Sequence, residues 1–439
     1  MLQFRKMKYY STNENAPLAG LCDAVIRGLA PDRGLYMPER IEPLGTDFFE
    51  HIQDMPFQEI AYIVAQAFFG EDIEATALRQ IVCDTLSFDV PCVEVADNIY
   101  SLELFHGPTL AFKDVGARFM ARLLQHFIRQ ERKEEIKVLV ATSGDTGSAV
   151  ANGFLDVDGI HVYVLYPAGK VSKIQESQFT TLGKNITAIE VNGTFDDCQA
   201  LVKAVFMDEE LNRRLNLTSA NSINVARFLP QAFYYFNAYA QMKRMRKADN
   251  LVICVPSGNF GNITAGLFAQ QMGLPIKSFI AANNANDVFY QYLQTGDYKP
   301  KPSKQTIANA MDVGNPSNFA RILDLYSNSW ETIKKHITGV AYTDNQIREA
   351  IKKCYGQTGY ILDPHGACAY RALTEKLKSH EVGIFLETAH PAKFKEVVDD
   401  ILKTNIEIPE RLATFIKGKK QSLPMNVDFQ ALKSLLLNV

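Results

Sequence analysis

A chain of 439 residues is too long for one ordinary hydrophobic core and implies two or three domains. With 47% apolar and 22% charged residues it reads as a soluble globular protein, not a disordered one. A formal net charge of −3 gives no broad basic field for nucleic acid or membrane, so small anionic ligands would have to be captured by local groups. The seven cysteines are scattered without a Cys-x-x-Cys pair, and the eight histidines include no His-x-x-x-His pair. A reduced, cytoplasmic chain with neither a disulfide framework nor a metal site is therefore expected. Residues 1–10 are basic but lead into no apolar run, and the greasiest stretch, 60–69, is broken by Gln66 and too short to span a bilayer.

Residues 1–95 read as a mostly helical, loop-rich N-terminal domain, with a turn at 32–38 and a helical apolar pattern at 58–69. A strand at 100–104 then leads into Phe105-His106-Gly107-Pro108-Thr109-Leu110-Ala111-Phe112-Lys113-Asp114. Behind it Ala117, Met120, Leu123, Leu124, Phe127 and Ile128 recur at helical spacing, so Lys113 sits where a strand hands over to a helix. Burial disfavours an ammonium, and a neutral amine is what Schiff-base chemistry requires. The plainer alternative is a lysine paired with Asp114, which base rates for charged residues favour until the loops downstream are counted.

Strands at 136–141, 161–166 and 186–191 alternate with helices, which argues for a parallel sheet covered on its faces. From about residue 245 the pattern begins again. A strand at 251–255 is followed by the loop Pro256-Ser257-Gly258-Asn259-Phe260-Gly261-Asn262, a helix at 263–272 and a strand at 276–282. A late strand at 382–386 runs into Glu387-Thr388-Ala389-His390-Pro391. The expected division is 1–95, then a smaller α/β domain at 96–240 carrying Lys113, then a larger one at 241–439 carrying the 258–262 loop, with segments free to exchange between the two sheets.

Loops between a strand and a helix N-terminus are where open α/β sheets place anionic ligands. In 257–262 the glycines let the backbone approach an anion, and Ser257, Asn259 and Asn262 add donors; an ordinary tight turn is the competing reading. The loop Thr142-Ser143-Gly144-Asp145-Thr146-Gly147-Ser148, with a helix expected from 149, has the same anatomy and suits a second anion such as a substrate carboxylate. Neither loop carries Gly-x-Gly-x-x-Gly, and the Walker pattern fails because Gly169-Lys170 is followed by Val171.

Together these motifs resemble the threonine synthases, pyridoxal-phosphate enzymes of the tryptophan-synthase-β fold group, in their longer microbial branch. The resemblance runs from Met7 through Tyr9-Tyr10-Ser11-Thr12, Asp32-Arg33-Gly34-Leu35-Tyr36 and Phe105-His106-Gly107-Pro108-Thr109. It continues through Phe112-Lys113-Asp114, the 142–147 loop, Gly169-Lys170-Val171-Ser172, Asn221-Ser222-Ile223-Asn224 and Ser257 to Asn262. Gly314-Asn315-Pro316-Ser317-Asn318-Phe319 and Thr388-Ala389-His390-Pro391-Ala392-Lys393 complete it. Residues 2–6 read either as an extension ahead of the family start or as the product of a misplaced start codon.

The resemblance implies a fold type II enzyme of two open, twisted α/β sheet domains with pyridoxal 5′-phosphate in the cleft. It implies that Lys113 bears the cofactor as a Schiff base and that Phe112 lies near the ring. Gly258, Asn259, Phe260, Gly261 and Asn262 would hold the cofactor phosphate, and the Thr388 hydroxyl would meet the ring nitrogen. Asp145, where related enzymes of the fold group carry asparagine, is a further cofactor residue. Ser143 and Thr146 are candidates for the substrate carboxylate; Ser222, Asn224 and Arg227, with Lys170 behind them, are candidates for the substrate phosphate. An arginine fork can engage two phosphate oxygens at once. His106 and His390, each beside Gly or Pro, are expected to shape loops. The implied reaction turns O-phosphohomoserine and water into threonine and phosphate in a monomer or homodimer, with no nucleic-acid or membrane partner. A related phospho-lyase releasing 2-oxobutyrate, or another pyridoxal-phosphate dehydratase, is the competing activity.

Overall fold

The computed structural model describes residues 6–131 and 135–438, so most of the expected 2–6 extension lies outside the described residues. It divides into two compact units. One is built mainly from Met37–Phe112 and Phe228–Glu407, the other from Lys8–Tyr36, Lys113–Arg227 and the chain from Ile408 onward.

In the first unit the strands lie in the order Ile337–Ala341, Ser278–Asn283, Leu251–Pro256, Val382–Glu387, Ile99–Glu103 and Cys92–Ala96. Pairing is parallel up to Ile99–Glu103, and only the edge strand Cys92–Ala96 runs antiparallel. Leu251–Pro256 and Val382–Glu387 are buried at every residue, the mark of central parallel strands covered on both faces. On one face Cys254, Ile280 and Phe385 share a core with Ala367, Cys368 and Leu373 of the helix Pro364–Lys376. The helices Thr46–His51, Phe57–Phe69 and Ala75–Thr85 also belong to this unit.

The second unit holds an all-parallel sheet in the order Leu423–Asn426, Ile186–Asn192, Ile160–Pro167, Ile136–Ala141 and Asn216–Ser219. Leu139, Tyr163, Leu165 and Ile189 meet Cys198 and Leu201 of the helix Phe195–Met207 in its core.

Two departures from the sequence reading have physical causes. Ile99–Glu103 had been grouped with the strands around 136–191, yet it pairs with Val382–Glu387. Its first four residues are fully buried, so it needs a neighbour on each edge, and Val382–Glu387 and Cys92–Ala96 supply them. The compact units therefore do not change over at residues 95 and 240: the chain passes from one to the other between Phe112 and Lys113, and the N-terminal 95 residues are shared between them. Second, the helices after both loops start earlier than expected, at Asp145 and Gly261. Their small first-turn residues look like loop in sequence. Among the described residues no helix is long and apolar enough to cross a membrane.

Candidate active site

In the first unit the strand Leu251–Pro256 delivers the 257–262 loop at the centre of the sheet, and the helix Gly261–Gln271 follows at once. Phe260 takes the left-handed conformation at φ +63, unusual for a residue with a side chain. Its buried ring packs on Phe289 at 4.5 Å between centroids, which offsets that strain. The N–H groups of Gly261, Asn262 and Ile263 have no intrahelical acceptor and lie at the positive end of the helix. The Asn262 Nδ2 is buried with no hydrogen-bond partner among the described residues. A buried donor left unmet costs about 1–3 kcal/mol, so this amide awaits an acceptor.

Gly258 is needed where it stands: a Cβ there would lie 2.7 Å from the Met311 Cα and 2.9 Å from the Ala310 oxygen. Asn259 is tied to the 314–319 segment. Its Oδ1 accepts the Ser317 N–H at 2.7 Å, and its carbonyl accepts the Asn318 Nδ2 at 3.0 Å. Arg321, fully buried over the Phe228 ring at 4.0 Å, donates to the Asn318 Oδ1 at 2.6 Å. Burial lowers that guanidinium to about 9.

Thr388 follows the strand Val382–Glu387. Its carbonyl accepts the Phe112 N–H at 2.9 Å, the His390 N–H donates to the Leu110 carbonyl at 3.0 Å, and Ala111 bridges Ala389. The buried Lys393 adds an Nζ bond to the Thr109 carbonyl at 2.8 Å. Phe112 is thereby fixed in place by backbone bonds. The Thr388 residue is 6% exposed, and its hydroxyl has no hydrogen-bond partner among the described residues. The two histidines act as loop shapers. His106 bonds Glu103 at 2.7 Å, and the His390 Nδ1 accepts the Ala392 N–H at 3.1 Å. Burial lowers His390 to about 4, so it is neutral at pH 7.

In the second unit Lys113 is the first residue of the helix Lys113–Glu131, half-buried, as the strand-to-helix reading expected. Its carbonyl accepts Arg227 Nη1 at 3.1 Å, and Arg227 Nε donates to the Ala220 carbonyl at 2.7 Å. Gly116 lets this clamp close, since a Cβ there would lie 2.2 Å from the Arg227 oxygen.

The 142–148 loop ends the strand Ile136–Ala141 of this unit. Thr142 Oγ1 accepts the N–H groups of Gly144 at 2.9 Å and Gly147 at 2.8 Å. Asp145, buried in the first turn of the helix Asp145–Phe154, accepts Gln175 Nε2 at 2.9 Å on Oδ1. Gln175 is held in turn by Ser172, which donates to its Oε1 at 3.0 Å and caps the helix Lys173–Thr180. Ser143 and Thr146 are half-buried, and their hydroxyls have no hydrogen-bond partner among the described residues. Sequence reasoning missed Gln175; the signal available was its place three residues after the Gly-Lys-Val-Ser motif, where a capping pair is common.

The expectation that Asn224 and Arg227 are offered to a substrate phosphate is revised. Asn224 is fully buried, donates to the carbonyls of Val25 at 2.8 Å and Ser219 at 3.2 Å, and accepts the Ala226 N–H at 3.0 Å. Arg227 is 2% exposed and grips two backbone carbonyls, with burial lowering its guanidinium to about 10. Sequence shows donor capacity but not where it is spent. Ser222 is half-buried and Lys170 exposed.

Residues 90–384 match a family of pyridoxal-phosphate dependent enzymes, 8–86 the threonine synthase N terminus and 365–436 the threonine synthase C-terminal segment. The threonine synthase of Haemophilus influenzae is 44% identical over 98% of this chain and 100% of its own. This chain belongs to the threonine synthase family. It is a pyridoxal-phosphate-dependent lyase of fold type II, acting on a small molecule in threonine biosynthesis. The crystal structure of Escherichia coli threonine synthase, 41% identical, matches with a TM-score of 0.92 over 98% of this chain and 100% of that one. A pyridoxal-phosphate-bound threonine synthase from Brucella melitensis, 32% identical, matches at 0.91 over 98% of this chain and 99% of that one. The residues present fit the cofactor: an unmet buried amide at a helix N-terminus suits a phosphate, and the unpartnered Thr388 hydroxyl suits a ring nitrogen.

Proposed function

We propose that the chain converts O-phospho-L-homoserine and water to L-threonine and phosphate, as a monomer or homodimer in the cytoplasm. The observation that carries this reading is full-length kinship, at 41–44% identity over 98% of the chain, with threonine synthases. The cysteines are scattered through both units, at Cys22 and Cys198 in one and at Cys83, Cys92, Cys254, Cys354 and Cys368 in the other, which suits a reducing compartment. The division at 95 and 240 is kept as a functional one: an N-terminal segment, a segment bearing Lys113 and a segment bearing the phosphate cradle.

Bound pyridoxal phosphate supplies an electron sink beside the substrate α-carbon. Lys113 would hold the cofactor, and its amine, when not engaged with the cofactor, would serve as a general base. That amine would take the Cα proton and pass it on, then take a Cβ proton as phosphate leaves from Cγ; a proton delivered to Cγ makes the methyl group, water adds its hydroxyl at Cβ, and Lys113 would return a proton to Cα. The Arg227 clamp on the Lys113 carbonyl fixes the root of this side chain while leaving its amine to move. Residues 258–262 would hold the cofactor phosphate, and Phe112 would lie near the ring. Thr388 offers the ring nitrogen a hydroxyl, which does not force that nitrogen to stay protonated as a carboxylate would. Asp145 completes the cofactor's surroundings, oriented by Gln175. Ser143 and Thr146 bind the substrate carboxylate through hydroxyls still unmet. Ser222, with Lys170, is proposed for the substrate phosphate.

Product analysis tests the reading: the purified protein is incubated with pyridoxal phosphate and O-phosphohomoserine. Threonine appearing in step with free phosphate is expected. Phosphate with 2-oxobutyrate would move the protein to the phospho-lyases, and no phosphate would remove the substrate.

A further inference from the structure

The helix Ala232–Arg244 lies in the same unit as the cradle, and Tyr234 and Tyr235 on it are fully buried. Consecutive helical residues point about 100° apart. Even so, both hydroxyls converge on one atom, the Asn262 Oδ1, each at 2.7 Å. Gly266, one turn beyond Asn262, makes room for this: a Cβ there would lie 2.8 Å from the Tyr235 ring.

The geometry fixes which way the amide faces. A separation of 2.7 Å is that of an O–H···O bond, shorter than the usual 2.9–3.0 Å of N–H···O. The hydroxyls' other acceptors are more distant, Gln231 Oε1 at 3.3 Å and the Asn262 carbonyl at 3.1 Å. Burial keeps both phenols protonated and able to donate. The amide oxygen thus faces the tyrosines and Nδ2 is turned away from them, unmet, at a helix start whose N–H groups also lack intrahelical acceptors.

We propose that Tyr234 and Tyr235 are positioning residues that lock the Asn262 amide with its NH₂ toward the cofactor phosphate, and so set the preference for phosphorylated over unphosphorylated cofactor. The inference rests on reading 257–262 as the phosphate cradle. Without the two hydroxyls the amide is free to turn over, and the turned form presents an oxygen to the anion, which repels it.

The test uses the full-length protein and its Tyr234→Phe, Tyr235→Phe, doubly substituted and Asn262→Ala variants, each checked for an unchanged melting temperature. Imine absorbance gives the dissociation constants of pyridoxal 5′-phosphate and of pyridoxal, and their ratio is the readout. The double phenylalanine variant is expected to lose about 10- to 100-fold of that ratio, the scale of a hydrogen bond to a charged group, with pyridoxal binding unchanged. Each single variant loses about threefold, because one donor remains. In the Asn262→Ala background the tyrosine substitutions become silent. An unchanged ratio in the phenylalanine variants, with Asn262→Ala still reducing it, would overturn the tyrosine lock and leave the cradle standing. An unchanged ratio in Asn262→Ala would overturn the cradle reading and the lock together. Should the double variant fail to fold, the single variants decide the matter on the same ratio.

Discussion

The loops 142–148 and 257–262 share one anatomy: the end of a buried parallel strand, a few small residues, then a helix N-terminus. They differ in what fills the first helical turn. In one, Asp145 brings its own carboxylate to the positive end of the helix, and Gln175 holds it there. In the other, Asn262 brings an amide whose oxygen is already taken by two tyrosines and whose nitrogen is unmet. The backbone makes both loops ready for an anion. In the first turn, a single side chain and its partner decide whether a charge is met internally or a donor is left for a ligand; the Ser143 and Thr146 hydroxyls of the first loop stay open to one.

The largest expected effect lies at Lys113. Lys113→Ala is expected to abolish turnover and the imine absorbance while shifting the melting temperature little, because the residue is half-buried and its backbone clamp remains. Near-normal turnover would remove its assignment. Exchanging the two first-turn groups tests the comparison itself. Asn262→Asp places a carboxylate against a phosphate and is expected to weaken pyridoxal phosphate binding at least about 100-fold, as an unpaired charge costs several kcal/mol. Asp145→Asn is expected to leave cofactor affinity within about threefold and to lower kcat about tenfold, the scale of one altered hydrogen bond. Equal losses of cofactor in the two variants would erase the distinction between the loops.

A smaller effect is expected from Gln175→Ala, which releases Asp145 without changing its charge: kcat falls by a few fold and cofactor binding is retained. Steady-state kinetics beside an imine titration separates the two.

Much of this was legible in sequence, and what was not has identifiable causes. The strand Ile136–Ala141 appears with the bounds read from its apolar run, and Lys113 stands at a helix start because the stripe from Ala117 to Phe127 is fully buried. The pairing of Leu423–Asn426 with Ile186–Asn192 was not legible, since that strand is mostly exposed and contains Pro424. Nor was the membership of Ile99–Glu103 in the six-stranded sheet: a strand's sequence shows that it is buried, not which strands bury it. At the site, Asn224 and Arg227 have the donors that a phosphate requires, but folding spends them on backbone carbonyls. The tyrosine pair was hidden for the opposite reason. On a helix buried nearly all round, two aromatic residues read as core, and only the meeting with Asn262 shows that their hydroxyls have work to do.

The smallest expected effect is a pH dependence on the cradle side. His390 titrates at about 4 in the folded protein against an ordinary 6.5, so neutral His390 supports stability above 6.5 and that support is lost as pH falls toward 4. Protonation also removes the acceptor for the Ala392 N–H. The full shift would be worth about 3 kcal/mol; residual solvent contact reduces this to about 1–2 kcal/mol. His390→Asn, which offers a side-chain oxygen as capping acceptor in place of the titrating ring nitrogen, is expected to flatten that part of a denaturant-melt series across pH.

The most direct measurement is to load the protein with pyridoxal phosphate, reduce it with borohydride and locate the modified residue by peptide mass spectrometry. A single pyridoxyl group on Lys113 is the result this account expects. Modification of another lysine with Lys113 untouched would contradict it, and would detach the cradle and both loops from the chemistry assigned to them.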